Sequence, residues 1–118
     1  IFADENSMIS DDIHKIWSSF DGINIKLMKC GSIEEAKKMI DVARFYELKI
    51  MLGCMVETSI GITAASHLAG KVDFADLDGN LLIQNDPYEG VEVINGKLNL
   101  PYSIGNGIKL KHNIEGLI

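Results

Sequence analysis

Three places in this sequence put charged side chains where a globular protein ordinarily avoids them. Lys26 lies inside the apolar run Ile23-Asn24-Ile25-Lys26-Leu27-Met28. The run is short, rich in β-branched and apolar residues, and bounded by Asp21-Gly22 and Gly31-Ser32, so it reads as a strand. Side chains alternate across a strand, so Lys26 should share a face with Met28 while Ile25 and Leu27 take the other. A lysine inside an apolar strand is costly unless it meets a polar cavity or a partner. Desolvation or a neighbouring cation would lower its pKa and make it usable as a base near neutral pH. The structural alternative is a buried ion pair, or a side chain snorkelling from the strand end. Lys29, at the strand exit, is expected to face solvent or a loop carboxylate.

Asp4 and Glu5 close the opening run Ile1-Phe2-Ala3. In parallel α/β folds the C-terminal edge of the strands holds the active site, and a carboxylate there could bind a hard cation such as Mg²⁺. A helix-capping or loop acid is the plain alternative. Asp76 and Asp78 form a D-x-D after Phe74-Ala75, and the period of two puts both carboxylates on one face. Such a pair repels itself and needs a shared cation or hydrogen bonds to stay ionised. The cation could be a metal, a lysine or a substrate ammonium group. Turn chemistry at Asp78-Gly79-Asn80 accounts for the same residues without function.

These residues need a frame of strands and helices. Ile13, Ile16, Trp17 and Phe20 recur at helical spacing behind Ser10, an apparent N-cap. Ser32 and Glu35 read as a capping box opening a helix to about Tyr46, with Ile33, Ala36, Ile40 and Ala43 on its apolar face. A strand over residues 48–56, a helix ending at Gly70 and a strand over residues 72–78 follow. Strand and helix in tight alternation, with near-continuous apolar strands, predict a parallel sheet covered on both faces. After Asp86-Pro87 the character changes: Asn95-Gly96 signals a type I′ hairpin, and the tail has Pro and Gly breaks. These last residues are expected to leave the βα layer.

A chain of 118 residues, 47% hydrophobic and 24% charged, has the balance of an ordinary globular domain rather than a disordered one. A net charge of −6 makes duplex nucleic acid and anionic lipid poor partners. No apolar run approaches the roughly 20 residues of a membrane span. Cys30 and Cys54 lack metal-like spacing and read as reduced thiols of a cytoplasmic protein. Cys54 has no neighbouring histidine to activate it, and Thr58 and Ser59 lack a triad-like context. His14, His67 and His112 read as structural, as do Met28, Met51 and Met55. Gly105-Asn106-Gly107 lies far from any strand-to-helix junction and is no nucleotide fingerprint. The abrupt start inside an apparent strand suggests a piece of a longer protein.

In order, "ADEN", "INIKLMKCGSI", "IMLGCMVETSIGITAASHLA", "FADLDG" and "PYSIGNGI" resemble the muconate-lactonizing subgroup of the enolase superfamily, most of all its dipeptide epimerases of the L-Ala-D/L-Glu type. The resemblance implies an α/β fold: the C-terminal part of a TIM-type (β/α) barrel over residues 1–85, with terminal strands over 86–118 returning to an upstream cap domain. It implies an isomerase that abstracts the proton α to a carboxylate, forms an enediolate and reprotonates it from the opposite face. Lys26 would be the catalytic lysine, Asp4 a ligand of Mg²⁺ with Glu5 beside it in a supporting role, and Asp76 and Asp78 the holders of a dipeptide ammonium. Cys54 and Met55 would line the substrate pocket. A second lysine and two further metal carboxylates would lie upstream, and the complete enzyme would be a homo-oligomer. A cycloisomerase, an o-succinylbenzoate synthase or a non-catalytic binding protein are the alternatives. The first two act on substrates without an ammonium group, which argues against them here. The usual Gly-Gly after the lysine strand is Gly31-Ser32, and the Asp4-to-Lys26 spacing is shorter than the family's.

Overall fold

A computed structural model describes residues 1–111. Four parallel strands form the main sheet in sequential order: β1 (Phe2–Ala3), β2 (Gly22–Ile25), β3 (Lys49–Leu52) and β4 (Phe74–Ala75). Helices α1 (Ser10–Ile16), α2 (Leu27–Cys30), α3 (Ile33–Phe45) and α4 (Ser59–Ser66) run between them. This is the α/β rhythm expected. His112 and the end of the segment assigned to the cap lie outside the described residues.

The alternation of each strand separates two faces. Ile23, Ile25, Ile50 and Leu52 have no exposed surface and share one core with Ile13 of α1, Ala36, Met39, Ile40 and Ala43 of α3, and Ile62 of α4. Each such aliphatic contributes about 1.5–3 kcal/mol on burial. The helix-side face therefore holds the sheet together, and the other face is free to carry polar groups.

That other face bears Phe2, Asp4, Gly22, Asn24, Lys26, Met51, Gly53, Phe74 and Asp76. At its base the rings of Phe2 and Phe74 meet edge to face, centroids 5.9 Å apart, although two strands lie between them. In a flat sheet those strands would stand roughly 14 Å apart, so the contact marks a sheet curved towards this face. Gly22 makes room for it: a Cβ there would come within 2.6 Å of the Phe2 ring.

Several local expectations change. The β2 strand ends at Ile25, and Leu27–Cys30 turns into a short helix closed by left-handed Gly31 (φ 82°). Met28 is therefore exposed and shares no strand face with Lys26. Ser10 is the first residue of α1 rather than its cap; Asp12 Oδ2 instead accepts from the Met8 and Ile9 amides. Half of the capping box forms, with the Glu35 amide donating to Ser32 Oγ at 3.0 Å. The Glu35 carboxylate turns away to accept from the Ser10 amide and hydroxyl, tying α1 to α3. The last helix of the layer ends at Ser66, and a separate helical turn covers Ala69–Lys71.

The hairpin forms as expected, β6 (Glu92–Ile94) with β7 (Lys97–Asn99) across Asn95 and Gly96, both at positive φ. A strand that the sequence did not signal, β8 (Lys109–Leu110), pairs antiparallel with β5 (Tyr88–Glu89). Residues 86–91 are stitched to α4. Buried Asp86 accepts from the Ser59 amide at 2.7 Å, and Thr63 Oγ1 accepts from the Val91 amide at 2.8 Å.

Candidate active site

The parallel register carries the candidate residues to one edge. Ile25 pairs with Leu52 and Leu52 with Ala75, so the next residues, Lys26, Gly53 and Asp76, form a row at the C-terminal end of the sheet. The ladder continues into that row through Gly53 N to Ile25 O at 2.8 Å and Asp76 N to Leu52 O at 2.9 Å. Asp4, following β1, stands beside Asn24, whose Nδ2 donates to Asp4 Oδ2 at 3.2 Å.

Asp4 is the centre of the charge cluster. Lys26 Nζ approaches its Oδ2 at 2.9 Å, and Lys29 Nζ donates to its Oδ1 at 2.5 Å. Burial by itself pushes the Asp4 carboxyl up, but the hydrogen bonds and charges of Lys29 and Lys26 outweigh it, and the net shift is downward. Asp4 is thus a carboxylate at neutral pH, the protonation state that a hard-cation ligand requires.

Lys29 is the residue that sequence reasoning undervalued. Its side chain is 3% exposed, against 14% for Lys26, and it also donates to the carbonyls of Asp4 at 2.6 Å and Asn24 at 2.9 Å. A strand continued through Met28 would put Lys26 and Lys29 on opposite faces. The helical turn that begins at Leu27, with Lys29 N bonded to Lys26 O at 2.9 Å, folds Lys29 back over the strand ends instead. The early Gly31-Ser32 stop was the signal for that turn. Asn24 was missed as well: it is buried, and its Oδ1 has no partner among the described residues. Gly53 leaves room for this amide, since a Cβ there would stand 2.6 Å from Asn24 Oδ1.

The acidic pair is arranged differently from the strand expectation. Asp76 follows β4 directly, whereas Asp78 (φ −103°, ψ 0°) has left the strand and begins the helical turn Gly79–Leu82. Asp78 Oδ1 lies 3.9 Å from Cys54 Sγ, which brings the loops after β3 and β4 together. Burial pushes the Cys54 thiol up, so it is protonated. Met55 is 40% exposed in the same loop. No ion pair among the described residues involves Asp76 or Asp78. Glu5 is exposed, with no hydrogen bond or ion pair among the described residues.

The donor chemistry at Asp4, an ionised carboxylate at the strand edge, fits one oxygen ligand of Mg²⁺. No group of three or more His, Cys, Asp or Glu among the described residues could by itself enclose a metal. No helix among them is long and apolar enough to cross a membrane.

A curved parallel sheet with charged residues gathered at its C-terminal edge matches a known family: the chain belongs to the enolase C-terminal domain-like family, whose model matches residues 1–114. Among its relatives is the L-Ala-D/L-Glu epimerase of Bacteroides thetaiotaomicron, 51% identical over 108 residues that make up 92% of this chain and 28% of that protein. Among solved structures, the substrate-liganded L-Ala-D/L-Glu epimerase of Bacillus subtilis superposes with a TM-score of 0.85 at 34% identity, over 92% of this chain and 32% of that one. The dipeptide epimerase of Cytophaga hutchinsonii, complexed with Mg and D-Ala-L-Val, superposes with a TM-score of 0.88 at 27% identity, over 97% of this chain and 33% of that one. The fold is therefore the α/β C-terminal part of a TIM-type (β/α) barrel, and the chain spans about a third or less of these relatives.

Proposed function

We propose that this chain carries one half of the active site of a Mg²⁺-dependent dipeptide epimerase, with Lys26 as the base on one face of the substrate. The observation that carries this is the position of Lys26: mostly buried, at the C-terminal strand edge, 2.9 Å from an ionised aspartate and in one row with Asp76. Epimerase relatives and neighbours, some of them holding Mg and a dipeptide, support the substrate class. Lys26 removes the proton α to the substrate carboxylate, or returns one to it, and an upstream lysine does the same from the opposite side. Asp4 is one of the oxygen ligands of the metal. When bound, the metal stabilises the charge that builds on the enediolate oxygens; the pairing of a lysine base with Mg²⁺ in this superfamily is a known pattern. Asp76 and Asp78 hold the dipeptide ammonium, a role supported by their lack of a cationic partner among the described residues. They thereby place the α-carbon against Lys26. Cys54, protonated and close to Asp78, lines the pocket together with Met55. Glu5 acts from outside the first ring of contacts. The terminal strands from Asp86 reach the cap domain of the complete protein, and the two free thiols support a cytoplasmic setting.

The test is Lys26→Ala in the complete protein, read by exchange of the dipeptide α-proton with deuterated solvent. Epimerisation is expected to disappear while the fold persists by circular dichroism. Wild-type exchange of both isomers in the variant would refute the assignment.

A further inference from the structure

Two lysines share one aspartate here, and they are bound in different ways. The Lys29 ammonium has three hydrogens, and three acceptors surround it: Asp4 Oδ1, the Asp4 carbonyl and the Asn24 carbonyl. Its side chain is 3% exposed, so little water remains to compete. Among the described residues Lys26 has one ionic partner, Asp4 Oδ2, and its side chain is more accessible than that of Lys29. The carboxylate is therefore fixed from one side by a fully bonded cation and presents its other oxygen to Lys26. Asn24 Nδ2 restrains that second oxygen, and Gly53 leaves the space in which the Asn24 amide sits.

We infer that Lys29 is a positioning residue, which sets the rotation of the Asp4 carboxylate and through it the place of the Lys26 ammonium. The inference rests on the role proposed above for Lys26. Without Lys29, the Asp4 carboxylate loses the cation that fixes Oδ1 and can turn about its Cβ–Cγ bond, and of the two lysines only Lys26 remains paired with it. Lys26 then follows Oδ2 away from where a substrate α-carbon must lie. Reactions between positioned groups are steep in distance, and a displacement of an ångström costs up to about a hundredfold.

The two faces of the substrate separate this role from mere support of the fold. The isomer whose α-proton faces Lys26 exchanges through Lys26; the opposite isomer exchanges through the upstream lysine. Damage to folding or to metal binding lowers both together and leaves their ratio unchanged. In the complete protein, Lys29→Met is expected to change the ratio of the two α-proton exchange rates by about ten- to a hundredfold against the Lys26 face. Lys29→Arg, which keeps a cation with several donors, should return the ratio most of the way to wild type. A crystal structure of metal-free Lys29→Met should show the Asp4 carboxylate turned and the Lys26 ammonium, still paired with Oδ2, displaced with it from its wild-type position. An unchanged ratio, equal loss on both faces, or an unmoved Asp4 would each overturn the inference. Lys26→Ala measured alongside keeps the two ideas apart. If that variant exchanges both isomers as wild type does, the proposed function fails, whatever Lys29 does. If it loses one face and Lys29→Met does not, only the role of Lys29 fails.

Discussion

Replacing Asp86 by alanine tests how the terminal segment is joined to the βα layer. The Asp86 carboxylate, 7% exposed, accepts from the Ser59 amide at 2.7 Å and from the Tyr88 amide at 3.1 Å. Ser59 is the first residue of α4, whose preceding Thr58 makes no side-chain cap, so Asp86 caps the helix from 27 residues away. Loss of a helix cap costs about 0.5–2 kcal/mol, and a buried amide left unpaired lies towards the upper end of that range. About 2 kcal/mol corresponds to roughly a thirtyfold rise in local opening. Hydrogen–deuterium exchange of the α4 amides in the complete protein, followed by mass spectrometry, reads this locally and does not depend on two-state unfolding. Asp86→Asn keeps one acceptor oxygen and should lose less than half as much.

The same carboxylate gives the pH dependence its sign. Burial raises the Asp86 pKa, but the Ser59 and Tyr88 hydrogen bonds, with the charge of Lys111, outweigh it, and the folded value falls below the ordinary one. A depressed folded value means that the stabilisation is complete above the unfolded carboxyl pKa of about 3.9 and is lost as pH falls through the lower, folded value. The excess opening in Asp86→Ala should therefore hold steady from neutral pH to about pH 5 and shrink only in more acid solution. Protection of α4 within twofold of wild type at neutral pH would refute the capping role.

Gly53→Ala places a Cβ 2.6 Å from Asn24 Oδ1 and should cost about 1–3 kcal/mol, lowering the calorimetric melting temperature of the complete protein; an unchanged melting temperature would show that Asn24 moves aside freely. Thr63→Val leaves the Val91 amide without its 2.8 Å acceptor in a fully buried position and should cost about 1–3 kcal/mol. Exchange of the Val91 amide by NMR would report it, and wild-type protection there would count against the bond.

The candidate residues were legible because each breaks a local rule. Lys26 interrupts an apolar run, and Asp4 and Asp76 stand where strands stop, so the parallel α/β layer and the edge on which these residues lie follow from pattern alone. The frame was legible for a related reason, since the burial of Ile23, Ile25, Ile50 and Leu52 is enforced by an alternation that any single strand already shows. Where each charge points was not legible. Strand alternation put Lys29 away from Lys26, and one helical turn after Ile25 reversed that, because the end of a strand is decided by what the backbone can bond to next. The pairing of Asp86 with Ser59, the contact of Phe2 with Phe74 and the fit of Asn24 against Gly53 join positions that are distant in the chain, and no local pattern encodes them. The sequence by itself determined which groups gather at the edge of the sheet. Only the tertiary structure decided that Asp4 lies between two lysines, one fully bonded and one bonded less completely, because that arrangement depends on strand register and on where a single turn begins.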